Sequence, residues 1–375
     1  MARLKLPIRR SGQERRRRAQ VSTKPGIGID IGAYTTKLVH FDPASEEPYT
    51  CAVLPTNAGT LGTAESDDLG PDGLLAANKQ ERHTDKKLDF SRWSQKQVDS
   101  LAQRIQSAIV PGFMARRIRA TISMDACDLR SVAVYAQEEL TRSAVIERLQ
   151  SAINDNRVRS VAVLDGQQEQ NRIKALSVPV DLTDAIAIGL DSKGMTPESI
   201  EGQPWTLARL VDSRDKDELH TLVDWGYTQP TLVCSVHGQV RYVRRLKAGS
   251  IRDMIQPVMN EYGIQAQEAI RWLELSIQGE QANSGFDIRS DLLVERAHQA
   301  SRQLAAEIDA ALEFIRWKNP DQKIGPIVFA GGGASLTQLS DLVTRSIDGD
   351  ACVWSSKEQD MSPVYAQAAI LAKVD

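Results

Sequence analysis

Two widely separated segments of this 375-residue chain repeat one grammar. An apolar run ends in Asp, and one residue later a Gly opens a short polar turn that closes on Thr and a second apolar run. The first copy uses Asp30, Gly32 and Thr36, the second Asp224, Gly226 and Thr231. Glycine lets such a turn bring backbone N–H groups close to an anion, and the hydroxyl adds a donor. A strand-end carboxylate can hold hydrated Mg²⁺ against the same phosphates. One turn of this kind is an ordinary hairpin. Two in order predict a chain of two similar halves, with hairpins that face each other and grip a polyphosphate.

A third element completes the pattern. Phe329, Ala330, Gly331, Gly332, Gly333, Ala334, Ser335 and Leu336 read as a strand entering a helix through three glycines. Only a backbone free of side chains lets a flat base and its ribose lie against the main chain. The spacing is neither GxGxxG nor GxxxxGK[ST].

Periodicity places these motifs among further elements. Ser94 to Ile109 carries Val98, Leu101, Ile105 and Ile109 on one helical stripe, and Arg117 to Ser123 alternates as a strand does. A βαββα pattern follows: strand Val132 to Tyr135, helix Thr141 to Ile153, strands Ser160 to Leu164 and Lys174 to Val180, helix Leu182 to Leu190. It predicts a small α/β subdomain over 128–196. Strands then run from Leu219 to Leu246 through turns at Gly226 and Gly238. Helices are expected at Ile251 to Tyr262, Ala266 to Ile277, Asp291 to Trp317, from Leu336, and at Tyr365 to Lys373. Residues 56–92, rich in Thr, Gly, Asp, Asn and Lys, read as a mobile surface insertion and a poor place for chemistry.

Charge is informative only locally. With 46 Lys plus Arg against 49 Asp plus Glu, the net charge of −3 excludes a globally basic nucleic-acid binder, and 41% hydrophobic residues suffice for an ordinary core. Residues 1–24, however, set nine basic side chains against Glu14, a net of +8. Such a tail repels itself and reads as disordered, a tether to anionic lipid or another acidic surface. No apolar region like that of a secretory signal follows it. No apolar stretch approaches the roughly 20 residues that span a bilayer. The four cysteines, Cys51, Cys127, Cys234 and Cys352, lack CxxC spacing and read as buried thiols of a reducing compartment. The five scattered histidines offer no transition-metal pattern.

Taken in order, the two hairpins and the triple-glycine corner resemble the phosphate-1, phosphate-2 and adenosine motifs of the actin-like ATPases. Within them the chain is most similar to the PilM-like adaptors of type IV pilus assembly, over roughly 26–375. Lys37 closing the first hairpin, Val53-Leu54-Pro55 after it, and the subdomain inserted after Ile122 carry that likeness. The resemblance implies an α/β, actin-like (ribonuclease H-like) two-lobe fold. Lobe 1 would comprise 26–127, 197–215 and 340–375, the inserted subdomain 128–196, and lobe 2 216–339.

It also implies ATP and Mg²⁺ as cofactors. Asp30 and Asp224 would be the catalytic carboxylates, linked to Mg²⁺ mostly through water. Gly32, Ala33, Tyr34 and Thr35 would form the first phosphate loop, with Lys37 reaching the phosphates. Gly226, Tyr227, Thr228 and Thr231 would form the second, and Gly331, Gly332, Gly333 and Ser335 the adenosine contact. Gln203 falls where the family orients water. An amide cannot take a proton, so nucleotide binding is expected ahead of efficient turnover. Trp225 and Pro230 make the second loop bulky and one donor short, and Ala369 stands where the final helix commonly has glycine. The implied partner is a short cytoplasmic peptide of a PilN-like membrane protein, held near the inserted subdomain. That places the chain in the cytoplasm, peripheral to the inner membrane, with self-association open and no specific nucleic-acid partner. The alternatives are an FtsA-like division filament, which would want a C-terminal amphipathic helix, and a sugar-kinase-type phosphotransferase, for which only Asp212 or Asp224 offers a base. A type II secretion relative, GspL, would continue into a transmembrane helix.

Overall fold

The computed structural model describes residues 26–41, 48–56, 93–109, 117–133, 142–153, 157–169, 172–211, 218–279, 290–356 and 361–373. The basic tail, nearly all of 56–92 and Asp212 lie outside them.

The Gly26–Ile31 run becomes β1, buried at every position, and such a run without polar alternation marks a strand covered on both faces. It pairs antiparallel with β2 (Thr35–Phe41), which pairs antiparallel with β3 (Pro48–Pro55). On its other side β1 runs parallel to β4 (Arg117–Ile122). Ile27, Ile29 and Ile31 face a core shared with Val98, Leu101 and Ile105 of α1 (Gln95–Ala108). Ser94 and Gln97 form the capping box that starts this helix. The alternate residues, Gly26 and Gly28, point to the opposite face.

The second half repeats this layout. β9 (Leu219–Asp224) pairs antiparallel with β10 (Thr231–Val236), β10 with β11 (Gln239–Arg245), and β9 runs parallel to β12 (Ile324–Ala330). With β8 (Pro197–Gly202) and β13 (Ala351–Val353) as outer parallel strands, the sheets read β3-β2-β1-β4-β8 and β11-β10-β9-β12-β13. The two expected halves are thus topological copies. The second sheet packs on α5 (Ile251–Tyr262), α6 (Ala266–Ile277), the long α7 (Ser290–Lys318) and α8 (Thr337–Ser346), with Trp225, Trp272 and Phe329 in its core.

Register corrects one detail of the repeat. Asp30 lies opposite Lys37 and Asp224 opposite Thr231, so Thr231 is the counterpart of Lys37, and Thr36 matches Pro230. Only one half carries the cation.

The third sheet, β5-β7-β6, comprises β5 (Asp128–Ala133), β6 (Arg159–Glu169) and β7 (Arg172–Pro179), under α2 (Arg142–Ile153). Its first strand starts four residues before the expected Val132. The helix expected to complete this unit, α3 (Val180–Asp191), packs elsewhere: Leu182, Ile186 and Leu190 join the first core, and Gly189 lies so close to Val98 that a Cβ would sit 2.8 Å from it. At the other end β13 is bonded to β12, so the chain remains with the second sheet past the expected return at 340. The chain rejoins the first sheet at Met361 and Tyr365, which pack with Val39 of β2, and through α9 (Ala366–Lys373).

The cysteines divide. Cys127 and Cys234 are buried, and burial pushes both thiols up to about 12. Cys51 and Cys352, expected inside, are exposed, on the outermost strands β3 and β13.

Candidate functional site

Both hairpin turns and the glycine corner open at the same ends of the two central strands. In the first turn, Gly32 N–H donates to Thr35 O at 3.2 Å, and a Cβ on Gly32 would lie 2.6 Å from that oxygen and 2.9 Å from Lys37 Nζ. The turn therefore requires glycine. Thr56 braces it from outside: its hydroxyl donates to Gly32 O at 2.8 Å and meets Thr36 Oγ1 at 3.0 Å, and its N–H donates to Tyr34 O at 3.0 Å. Thr56 was expected to begin the uninvolved insertion and instead belongs to the site. A side chain can brace a turn only once strand pairing has brought β3 alongside it.

Asp30 is 2% exposed. Its Oδ2 lies 3.2 Å from Lys37 Nζ, while Oδ1 is buried without a hydrogen-bond partner. Asp224, also buried, accepts from Gln203 Nε2 at 2.7 Å on Oδ2 and from Gln367 Nε2 at 3.1 Å on Oδ1. Gln203 Oε1 in turn accepts from Met124 N–H at 3.1 Å. Burial, then the negative charge of Asp30, push the Asp224 carboxyl up to about 7, against the smaller opposing pull of Lys37 and the two amides. Two carboxylates that feel each other thus lie beside one cation, Lys37, with one oxygen unsatisfied.

The triple-glycine corner is shaped by Trp225, which is fully buried rather than part of the loop surface. Its Nε1 donates to Gly249 O at 2.5 Å, its N–H to Ala330 O at 2.8 Å, and its carbonyl accepts from Gly333 N–H at 2.8 Å. A Cβ on Gly333 would collide with the indole. Gly331 holds φ +91° with its Cα against Asp224, where a Cβ would come within 2.5 Å of Oδ1. Gly332 differs, since a Cβ there would meet nothing within 4 Å. The open side of the corner is at Gly332, and Ser335 Oγ, donating to Gly332 O at 2.7 Å, closes the turn behind it.

The remaining expected residues fall as follows. Ala33 is buried, Tyr34 and Tyr227 lie in the two turns, Gly226 approaches Asp224, and Thr35 pairs with Pro55. Thr228 Oγ1 donates to Asp125. Thr231, opposite Asp224 in the strand pair, is wholly buried with its hydroxyl unpartnered. Gln203, taken from sequence as a segment connecting the lobes, is the first residue of α4 (Gln203–Leu207). Three residues without any sequence signal complete the site: Gln367, Asp125 and Arg245, the last donating to Asp125. Gln367 reaches Asp224 because α9 lies almost on β1. The glycine that permits this is on the strand, not the helix: a Cβ on Gly28 would overlap Ala368 O. That explains why Ala369 is tolerated.

Among solved structures, the PilM-PilN type IV pilus biogenesis complex superposes with a TM-score of 0.61 over 92% of this chain and 97% of that one, at 19% identity. The chain has the actin-like ATPase fold. Within that fold it is built like PilM. MreB5 of Spiroplasma citri bound to AMPPNP covers 94% of the chain at 14% identity with a TM-score of 0.49, and the ethanolamine utilization protein EutJ from Carboxydothermus hydrogenoformans covers 93% at 13% and 0.48. No protein-family model matches the chain, and no curated protein sequence does. Here the two hairpin turns and the glycine corner come together: Gly331 lies against Asp224, Asp224 feels the charge of Asp30, and Tyr34 meets Tyr227. Among the described residues no helix is long and apolar enough to cross a membrane.

Proposed function

We propose that this chain is an ATP-binding, actin-like adaptor of a type IV pilus or related inner-membrane secretion platform, and that it binds the cytoplasmic N-terminal peptide of a PilN-like membrane protein. The observation that carries the nucleotide reading is the facing pair Asp30 and Asp224, with Asp30 Oδ1 buried and unpartnered beside Lys37. Cation binding satisfies such an atom.

Asp30 and Asp224 would hold Mg²⁺ mostly through water, Lys37 would meet the phosphates, and the base would lie over Gly331 to Ser335, on the open side at Gly332. Bound Mg²⁺ supplies charge neutralisation along the polyphosphate. The backbone N–H groups of Ala33 to Thr35 and Gly226 to Thr228 would orient it. Gln203 spends both ends of its amide on Met124 and Asp224, so its part is to position Asp224. An amide so placed cannot take a proton from water, which is the reason to expect nucleotide binding ahead of turnover.

The partner half is supported by likeness in fold to the PilM-PilN complex. The three-stranded sheet β5-β7-β6 leaves strand edges suited to capture of an extended peptide. Residues 1–24 would add a weak contact with anionic lipid, raising avidity at the cytoplasmic face of the inner membrane.

Calorimetric titration with Mg-ATP tests this reading on wild type and Asp30→Ala. Saturable, Mg-dependent binding lost in the variant supports it. Binding that survives in the variant, or is missing from both proteins, overturns it. Pull-down on membrane-protein N-terminal peptides, with and without 1–24, tests the partner.

A further inference from the structure

The two phosphate loops already touch each other. Tyr34 in the first turn stacks on Tyr227 in the second, with ring centroids 4.3 Å apart and planes 18° from parallel. That is slightly closer than the roughly 4.5–7 Å usual for aromatic pairs. The rings come from different sheets, since Tyr34 follows β1 and Tyr227 follows β9. Both also pack on the core of the second sheet.

A second contact bridges the same gap. Asp125 belongs to a 3-10 turn, Met124–Ala126, that continues β4 of the first sheet. One of its carboxylate oxygens accepts from Thr228 Oγ1, the neighbour of Tyr227, and the other from the guanidinium of Arg245, the last residue of β11. The Asp125 side chain is only 3% exposed. Pulling the loops apart would strand that carboxylate, a costly outcome for a buried charge. The lobes are therefore joined across the phosphate gap by side chains of the chain itself.

We propose that the Tyr34–Tyr227 stack, with the Asp125 clasp beside it, is a latch that holds the cleft closed without nucleotide, so that a polyphosphate must part the two rings to lie between the turns. This rests on the nucleotide reading for the identity of the ligand, but not for the latch itself. Its consequence reverses the common order of events for a two-lobe clamp: the empty protein is the closed one, and nucleotide loosens it. Because only the unlatched fraction accepts ligand, apparent affinity is reduced by that fraction. Loss of one aromatic pair then corresponds to roughly a two- to tenfold gain in affinity.

Hydrogen exchange without nucleotide, across 32–36 and 226–230, separates the two questions, with Mg-ADP titration run in parallel. Tyr34→Ala and Tyr227→Ala should each speed exchange in both turns and tighten Mg-ADP roughly two- to tenfold. Tyr34→Phe, which keeps the stack, should behave as wild type. Thr228→Val, which leaves the rings in place, should give a smaller rise in exchange and guards against misfolding of the alanine variants. Unchanged exchange in Tyr34→Ala, Tyr227→Ala and Thr228→Val overturns the latch. Weaker Mg-ADP binding by the alanine variants overturns it too, since the rings would then be ligand contacts. Faster exchange with no Mg-ADP binding by any protein would uphold the latch and overturn the nucleotide reading.

Discussion

Replacing Asp224 by Asn should stabilise the fold while removing the site's function, and the structure sets both the size and the pH dependence. Asp224 is buried, faces the charge of Asp30, and has its carboxyl raised to about 7 from an ordinary 3.8. Between those values the folded protein keeps a proton that the unfolded chain has released. Stability therefore falls as pH rises from about 4 to 7, and stays at its lower level above 7. At 1.36 kcal/mol per decade, the gap from 3.8 to about 7 corresponds to ~4 kcal/mol of penalty at pH 8. Asn carries no charge and fits the existing partners. Its oxygen can keep the bond from Gln203, whose own oxygen is held by Met124, and its NH₂ can donate to Gln367 after that amide turns over. Gln367 Oε1 is buried without a partner, so the turnover exchanges one unpartnered end of that amide for the other and adds no new orphan. Urea midpoints in metal-free buffer should show Asp224→Asn more stable by about 2–4 kcal/mol at pH 8, with the advantage shrinking towards pH 4. An Asn variant that is less stable at pH 8, or a difference that does not vary with pH, would refute the electrostatic reasoning.

The glycines give sharper contrasts. Gly332→Val, pointing into open space, should leave the urea midpoint within about 0.5 kcal/mol of wild type yet abolish Mg-ATP binding, whereas Gly333→Ala, driven into Trp225, should cost about 1–3 kcal/mol of stability. Gly28→Ala should push α9 off β1, withdraw Gln367 from Asp224, and lower the melting temperature together with nucleotide affinity, read by calorimetry. Thr56→Val removes the brace of the first turn and should cost about 1–3 kcal/mol in urea unfolding, with faster hydrogen exchange confined to 32–36.

What could be read from the chain alone was whatever is local. The turn glycines, the strands they end and the helices at Ile251–Tyr262 and Ala266–Ile277 are written in contiguous residues, and the structure has them there. The order of the motifs sufficed for the actin-like fold. Side chains that reach the site across the fold were not legible. Gln367 arrives 143 positions from Asp224, and Arg245 120 positions from Asp125, through packing that no local pattern encodes. Strand register was equally hidden, which is why Thr231 looked like the partner of Thr36 although pairing sets it in the place of Lys37. An amphipathic stripe says that a helix is covered but not by what, and so α3 was assigned to the small sheet although it packs on α1. Cys51 and Cys352 sit in apolar runs that happen to be edge strands, and edges leave side chains open to solvent.

A crystal structure grown with Mg²⁺ and a non-hydrolysable ATP analogue tests the central claim most directly. The account predicts one nucleotide in the cleft, with metal density between Asp30 and Asp224, phosphates between the Gly32 and Gly226 turns, and the base against Gly331 to Gly333. Analogue bound at another place, or a cleft that stays empty at millimolar analogue with the metal site vacant, would contradict it.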